Sequence, residues 1–225
     1  MKKSKIILLV LMILCDFINM NAQALNWKAL DSTKHLFNAE FGLDYGTSIG
    51  VGYSYRLNTE MPILLNTNVS IPFGDKIVDD FKVELGMQIN ILNSSNFIGA
   101  ISIEAIYRKY QTDFIRLQNF GSDIKGTFGY YKPIWFVATE FGFDKAIVTH
   151  FKHSQKFRDE IYQDVRDGWY QPSTGGNFYY GISSGYSFKK SDVTLNIGKI
   201  ITQDFKTSPL IPFYLSLGYN FKIFQ

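Results

Sequence analysis

The sequence predicts an all-β protein: one closed, antiparallel, transmembrane barrel of about ten strands, with eight to twelve compatible with the pattern. Three observations predict it. Apolar residues keep to one parity in segment after segment, and glycine, serine and other small polar residues fill the opposite parity. No run after the first 24 residues approaches the roughly 20 apolar residues that a membrane helix needs. Composition agrees, since 20 Phe, 14 Tyr and 18 Gly favour aromatic strands and tight turns.

Residues 1–24 read as a secretory leader. Lys2, Lys3 and Lys5 precede an apolar run from Ile6 to Cys15, and small residues at Ala22 and Ala24 offer cleavage after either. Cys15 is the only cysteine, so the mature chain forms no disulfide and no thiolate metal site. Three of the 23 basic and one of the 20 acidic residues also leave with the leader. The remaining 20 against 19 carry no basic footprint for nucleic acid. Residues 25–34 read as a periplasmic N-terminal segment and 35–225 as the single barrel domain.

The strands follow in order. Segment 36–45 places Phe37, Ala39, Phe41, Leu43 and Tyr45 on one face, and 48–57 alternates Ile49, Val51, Tyr53 and Tyr55 with Gly50, Gly52, Ser54 and Arg56. Segment 62–71 follows, then 81–92 with Val83, Leu85, Met87, Ile89 and Ile91, then 97–108. Residues 109–129 read as a long loop, with 120–133 as a glycine-rich cap that lacks the spacing of a phosphate cradle. Strands resume at 132–143 and 145–152, joined by a short FDK link, and continue at 177–188, 192–202 and 212–223. Short links at RLNTEMP, LNSSNF, FDK and KKSD alternate with longer connections, which puts turns on one rim and loops on the other. In the longest loop Phe157, Ile161 and Val165 recur every four residues, predicting a short amphipathic helix within 154–167.

Alternation alone does not say which face is inside. The polar faces decide: Asn177, Gly181, Ser183, Gly185 and Ser187 are too small to serve a water-exposed convex surface but suit a crowded lumen. Apolar residues then meet lipid, and Tyr107, Tyr130, Tyr131, Trp135 and Tyr186 fall at the membrane interfaces.

With that parity the lumen holds Glu40, Asp44, Glu84, Glu104 and Glu140 alongside Arg56, Arg108 and Lys222. Glu84 and Glu104 stand at similar distances from the NSSN turn, so they face one another either as an acid/base dyad or, with more weight, as part of a hydrogen-bonded plug. His150 and His153 open the longest loop, ahead of Asp159, Glu160, Asp164 and Asp167, and are weak rim candidates for metal or catalysis. The chain has no H-E-x-x-H, G-x-S-x-G or Walker loop, so the expectation is no enzyme, no metal and no cofactor. Phe120, Trp169 and Tyr170 are loop aromatics available to a surface partner.

Leader, amphipathic strands and an aromatic closing strand together resemble bacterial outer-membrane β-barrel proteins of the small porin-like or OmpA-like type, over essentially the whole mature chain. The resemblance implies residence in the cell outer membrane, outer-membrane lipid and the barrel-assembly machinery as partners, and an assembly signal in the last strand. Phe213, Leu215, Leu217, Tyr219 and Phe221 match that signal, with KIFQ as an extension behind it. The expected function is non-enzymatic, structural or surface-interacting. A narrow pore for small solutes is the first alternative and a lipid-modifying or proteolytic enzyme the second, while a soluble periplasmic lipocalin-like barrel is the third.

Overall fold

A computed structural model describes residues 24–30, 33–43, 47–72 and 79–224. Residues 1–23 of the leader, Asp44 and Tyr45 lie outside the described residues. The fold is a closed antiparallel barrel. Its strands are β1 (Thr33–Leu43), β2 (Thr47–Leu57), β3 (Ile63–Pro72), β4 (Asp80–Ser94), β5 (Phe97–Gln111), β6 (Ile115–Tyr131), β7 (Trp135–His153), β9 (Gly176–Ser187), β10 (Ser191–Thr202) and β11 (Phe213–Phe224), while the three-residue β8 (Gly168–Tyr170) is appended to the end of β7. Each strand pairs with its sequence neighbour, apart from the step from β7 to β9, and β11 closes on β1 from Leu215↔Leu43 to Phe224↔Thr33. Closure satisfies the backbone groups that hydrocarbon would otherwise strand.

The faces sort as hydrocarbon requires. Leu85 and Phe141 are 65% and 63% exposed on the outside, whereas the inward Ser216 and Asn68 are 0% and 1% exposed. A soluble barrel would reverse this order. Aromatic girdles mark both membrane edges. One joins Phe97, Tyr130 and Trp135 at 5.4 and 5.7 Å near the short turns, and the other joins Phe81, Tyr107 and Phe120 at 5.9 and 5.1 Å near the loops. From Phe97 to Tyr107 a strand rises roughly 33 Å, or about 25 Å along the normal at a tilt of about 40°, the height of the apolar band in such barrels.

The expected strand count holds, but its middle is rearranged. Residues 109–129 are not a loop and 120–133 are not a cap: β5 runs on to Gln111, a tight turn follows in which Thr112 Oγ1 accepts from the N–H of Ile115 (3.2 Å), and β6 returns through 115–131. Conversely, 132–143 and 145–152 are one strand, β7, and FDK is no turn. Asp144 and Lys145 stay in the strand because distant parts of the chain satisfy them, the start of β9 for Asp144 and two loops for Lys145. Asp144 Oδ1 accepts from Asn177 N–H (2.9 Å), and Lys145 Nζ reaches Gln203 Oε1 (2.7 Å) and the carbonyl of Ser173 (3.2 Å). Ile147 is a bulge residue, skipped between the pairs Phe120↔Val148 and Gly121↔Ala146, so the facing parity of β7 changes there. The helix, α1, is shorter than 154–167. It spans Gln155–Glu160, with Ser154 Oγ accepting from Phe157 N–H (3.2 Å). Tyr131 is not at an interface but turned inward, 2% exposed and stacked on Phe136 at 5.1 Å.

Candidate functional site

The lumen is built from rows of inward residues that the sheet register sets side by side. In one row Tyr214 pairs with Gly198, Gly198 with Gly181, and Gly181 with Glu140. A Cβ at Gly198 or Gly181 would collide with the Tyr214 ring, so the two glycines form a trough. Along it the phenol lies flat and donates to Glu140 Oε1 at 2.6 Å, three strands away. Tyr179 uses Gly142 in the same way and donates to both oxygens of Asp123 (2.9 and 2.8 Å).

Charges line the same wall in pairs. Lys222 Nζ lies 2.6 Å from Asp192 Oδ1, both fully buried; Lys82 Nζ lies 3.0 Å from Glu84; Lys125 Nζ lies 3.9 Å from Glu140; and Arg108 makes a two-pronged contact with Asp80 (3.2 and 2.9 Å). Asn66 Nδ2 donates to Glu104 at 2.7 Å, and Asn196 Nδ2 donates to Ser216 Oγ at 3.0 Å. Glu40 is buried on β1. Glu84 and Glu104 occupy adjacent strands but different rows, opposite Ile106 and Gly86. Each has its own partner in Lys82 and Asn66, an arrangement that fits the hydrogen-bonded plug more readily than a proton-sharing dyad. Asp80, Asp123, Lys125, Tyr179, Asp192 and Tyr214 belong to this network as well. Parity would have found Asp192 and Tyr214, whereas Asp123 and Lys125 were hidden by reading their segment as a loop.

In a third row Asn38 pairs with Gly52 and Gly52 with Asn68. The side-chain oxygens of both asparagines converge over Gly52, where a Cβ would collide with each. Both amides are buried, and none of their side-chain atoms has a hydrogen-bond partner among the described residues.

The short-turn mouth is closed by residues 24–30. Their 3₁₀ turn, Trp27–Ala29, is capped by Asn26, whose Oδ1 accepts from Lys28 N–H (3.2 Å). Asn26 Nδ2 donates to the Lys132 carbonyl (2.9 Å) and Ser187 Oγ (2.8 Å), Asn220 Nδ2 donates to the Ala24 carbonyl (3.0 Å), and Arg56 Nη1 donates to the Leu30 carbonyl. Leu25, Trp27 and Leu30 pack with Leu36, Leu64, Ile98, Ala100, Tyr131, Phe136 and Ala138, the one apolar cluster of the lumen among the described residues. The segment read as periplasmic therefore sits inside the mouth. Arg56, read as a lumen charge, anchors it.

The rim histidines do not converge. His150 faces outward against Trp169 (4.8 Å between rings), while His153 Nδ1 lies 2.9 Å from Asp167 Oδ1, and Asp167 Oδ2 lies 3.0 Å from Arg158 Nη2. Three residues apart on a strand, the two rings point to opposite faces. The backbone N–H and ring of His153 hold the Asp167 carboxyl down at about 2. Among the described residues no group of three or more His, Cys, Asp or Glu side chains is placed to hold a metal ion. The residues matched to the assembly signal, Phe213, Leu215, Leu217, Tyr219 and Phe221, all face outward on β11. Residues 222–224 behind that signal belong to the strand, because β11 continues to Phe224 and Lys222 is buried on Asp192.

No family model and no curated protein matches the sequence. Among solved structures the chain is similar to a KdgM porin, at 9% identity and a TM-score of 0.43, over 84% of this chain and 99% of that one. It is similar to the KdgM porin in complex with disordered oligogalacturonate at 8% identity, with the same TM-score and coverage. At this level the likeness concerns the barrel fold alone.

Proposed function

We propose that the protein is a non-enzymatic outer-membrane barrel that passes small polar solutes once residues 24–30 leave its short-turn mouth. The carrying observation is the row Asn38–Gly52–Asn68, whose buried amides have no partner among the described residues. An unpaired buried polar group costs about 1–3 kcal/mol, a cost that water or a polar solute in the lumen removes. A barrel serving only as an anchor gains nothing from such a surface. The narrow-pore reading therefore moves ahead of a purely structural role. The plug supports it further, because its closing groups belong to a short separate segment and not to the sheet.

Contact with a surface partner is the second reading. It is favoured by β5, β6 and β7, which run past the loop-side girdle as a raised lip beside the exposed Trp169 and Tyr170. Liposome swelling tests the pore reading. Vesicles carrying the chain without residues 25–30 should swell in isotonic arabinose several-fold faster than vesicles carrying the full mature chain. Equal rates at the level of empty vesicles, with both barrels folded, would overturn it.

A further inference from the structure

Between the plug and the wall lies a cavity of about 270 Å³, lined among others by Trp27, Lys28, Arg56, Asn90, Asn93 and Ile98. That is space for roughly nine water molecules. Its chemistry is one-sided: two of the lining side chains are cationic and none is a carboxylate. Arg56, Asn90 and Ile98 project from the barrel wall, whereas Trp27 and Lys28 belong to the plug, so the cavity exists only with the segment seated. A second observation points to an occupant. Asn90 lines the cavity and is 5% exposed, and its Oδ1 has no hydrogen-bond partner among the described residues, so a buried acceptor borders this seam.

We propose that the seam binds a short-chain hydroxy carboxylate. The carboxylate lies against Lys28, beside Arg56, a hydroxyl donates to Asn90 Oδ1, and the carbon chain lies along Trp27 and Ile98. The charged contact supplies affinity and the hydroxyl contact selectivity, because a ligand without the hydroxyl leaves Asn90 unpaired. A ligand held by plug and wall together stabilises the seated state over the released one. That consequence for gating rests on the pore reading, whereas binding itself does not.

Calorimetric titration of the full mature chain, folded in detergent micelles, tests the site with three probes of similar size. D-glycerate carries charge and hydroxyls, propionate charge alone, and glycerol hydroxyls alone. Saturable one-to-one binding of D-glycerate is expected, with propionate and glycerol weaker by about tenfold or more. Lys28→Gln and Asn90→Leu should each weaken D-glycerate binding about tenfold while gel migration of the folded barrel stays unchanged. Lys28 is only half-buried on the plug, so its variant leaves the barrel wall intact. Absence of saturable binding, equal binding of the three probes, or unaltered affinity in Lys28→Gln would overturn the proposal. Because no bilayer is involved, a barrel that binds D-glycerate but never conducts would refute the pore reading and leave the site standing.

Discussion

At the scale of single residues the lumen works by pairing large polar side chains with glycine. Tyr214 reaches Glu140 only because Gly198 and Gly181 leave a trough across two strands. Tyr214→Phe keeps the ring and removes the donor, leaving a buried carboxylate short of one partner. It should cost about 1–3 kcal/mol, read as a lower urea midpoint of the folded barrel. Asp167 makes a pH-dependent counterpart at the rim. Its carboxyl is held at about 2 against an ordinary 3.8. A depressed folded value means that its contribution is fully present above the ordinary value and is lost as the pH falls through the folded one. Pepsin should therefore begin to cut the 154–167 loop as the pH drops from about 4 to about 2, and Asp167→Asn should be cut throughout that window. Strand parity made Glu40, Glu84, Glu104, Glu140 and Lys222 legible as lumen residues. The separation of the two histidines was not legible, because the pattern ends the strand at 152 and gives His153 to the loop. In the structure β7 runs on to His153, and an odd spacing along one strand sends the two rings to opposite faces.

At the scale of elements two opposite misreadings cancelled. Glycines at 121, 126 and 129 made β6 look like a loop, although they sit beneath or beside neighbouring strands, as where Gly126 underlies the Phe141 ring. Asp144 and Lys145 made β7 look broken, although their partners, Asn177 of β9 for the first and loop residues Ser173 and Gln203 for the second, lie more than 25 residues away in sequence. Local pattern carries no information about such distant satisfaction. The plug is a further element that periodicity misses, being too short to show any. Its energetics make it reversible. Burial of Leu25, Trp27 and Leu30 contributes roughly 1.5–3 kcal/mol each and four polar ties about 1 kcal/mol each, whereas ordering seven residues costs about 1–2 kcal/mol per residue. The two sides nearly cancel, so small changes shift the balance. Asn26→Ala removes two of the ties, about 2 kcal/mol together, and should shift the segment about thirtyfold toward release. Iodide quenching of Trp27 in a Trp135→Phe, Trp169→Phe background would report it as a several-fold larger quenching constant.

At the scale of the whole molecule, closure and girdle spacing define a transmembrane barrel, and β11 is the strand on which closure depends. Phe221 faces lipid directly opposite Phe37 of β1, and Lys222 is buried on Asp192. We propose that the outward row ending at Phe221 is what the assembly machinery reads. Phe221→Ser should then reduce membrane insertion several-fold more than removal of residues 223–225, as measured by heat-modifiable gel migration of membrane fractions. Removing Lys222 as well should also be severe, since a buried Asp192 would lose its counter-ion at a cost of about 3–5 kcal/mol. The central claim joins these scales: a polar lumen, closed by a marginally held N-terminal segment, that conducts when the segment leaves. Single-channel recording in planar bilayers tests it most directly. The full mature chain should give rare, brief openings and the chain lacking residues 25–30 sustained discrete steps. Silence from both chains, or identical steps from both, would contradict it.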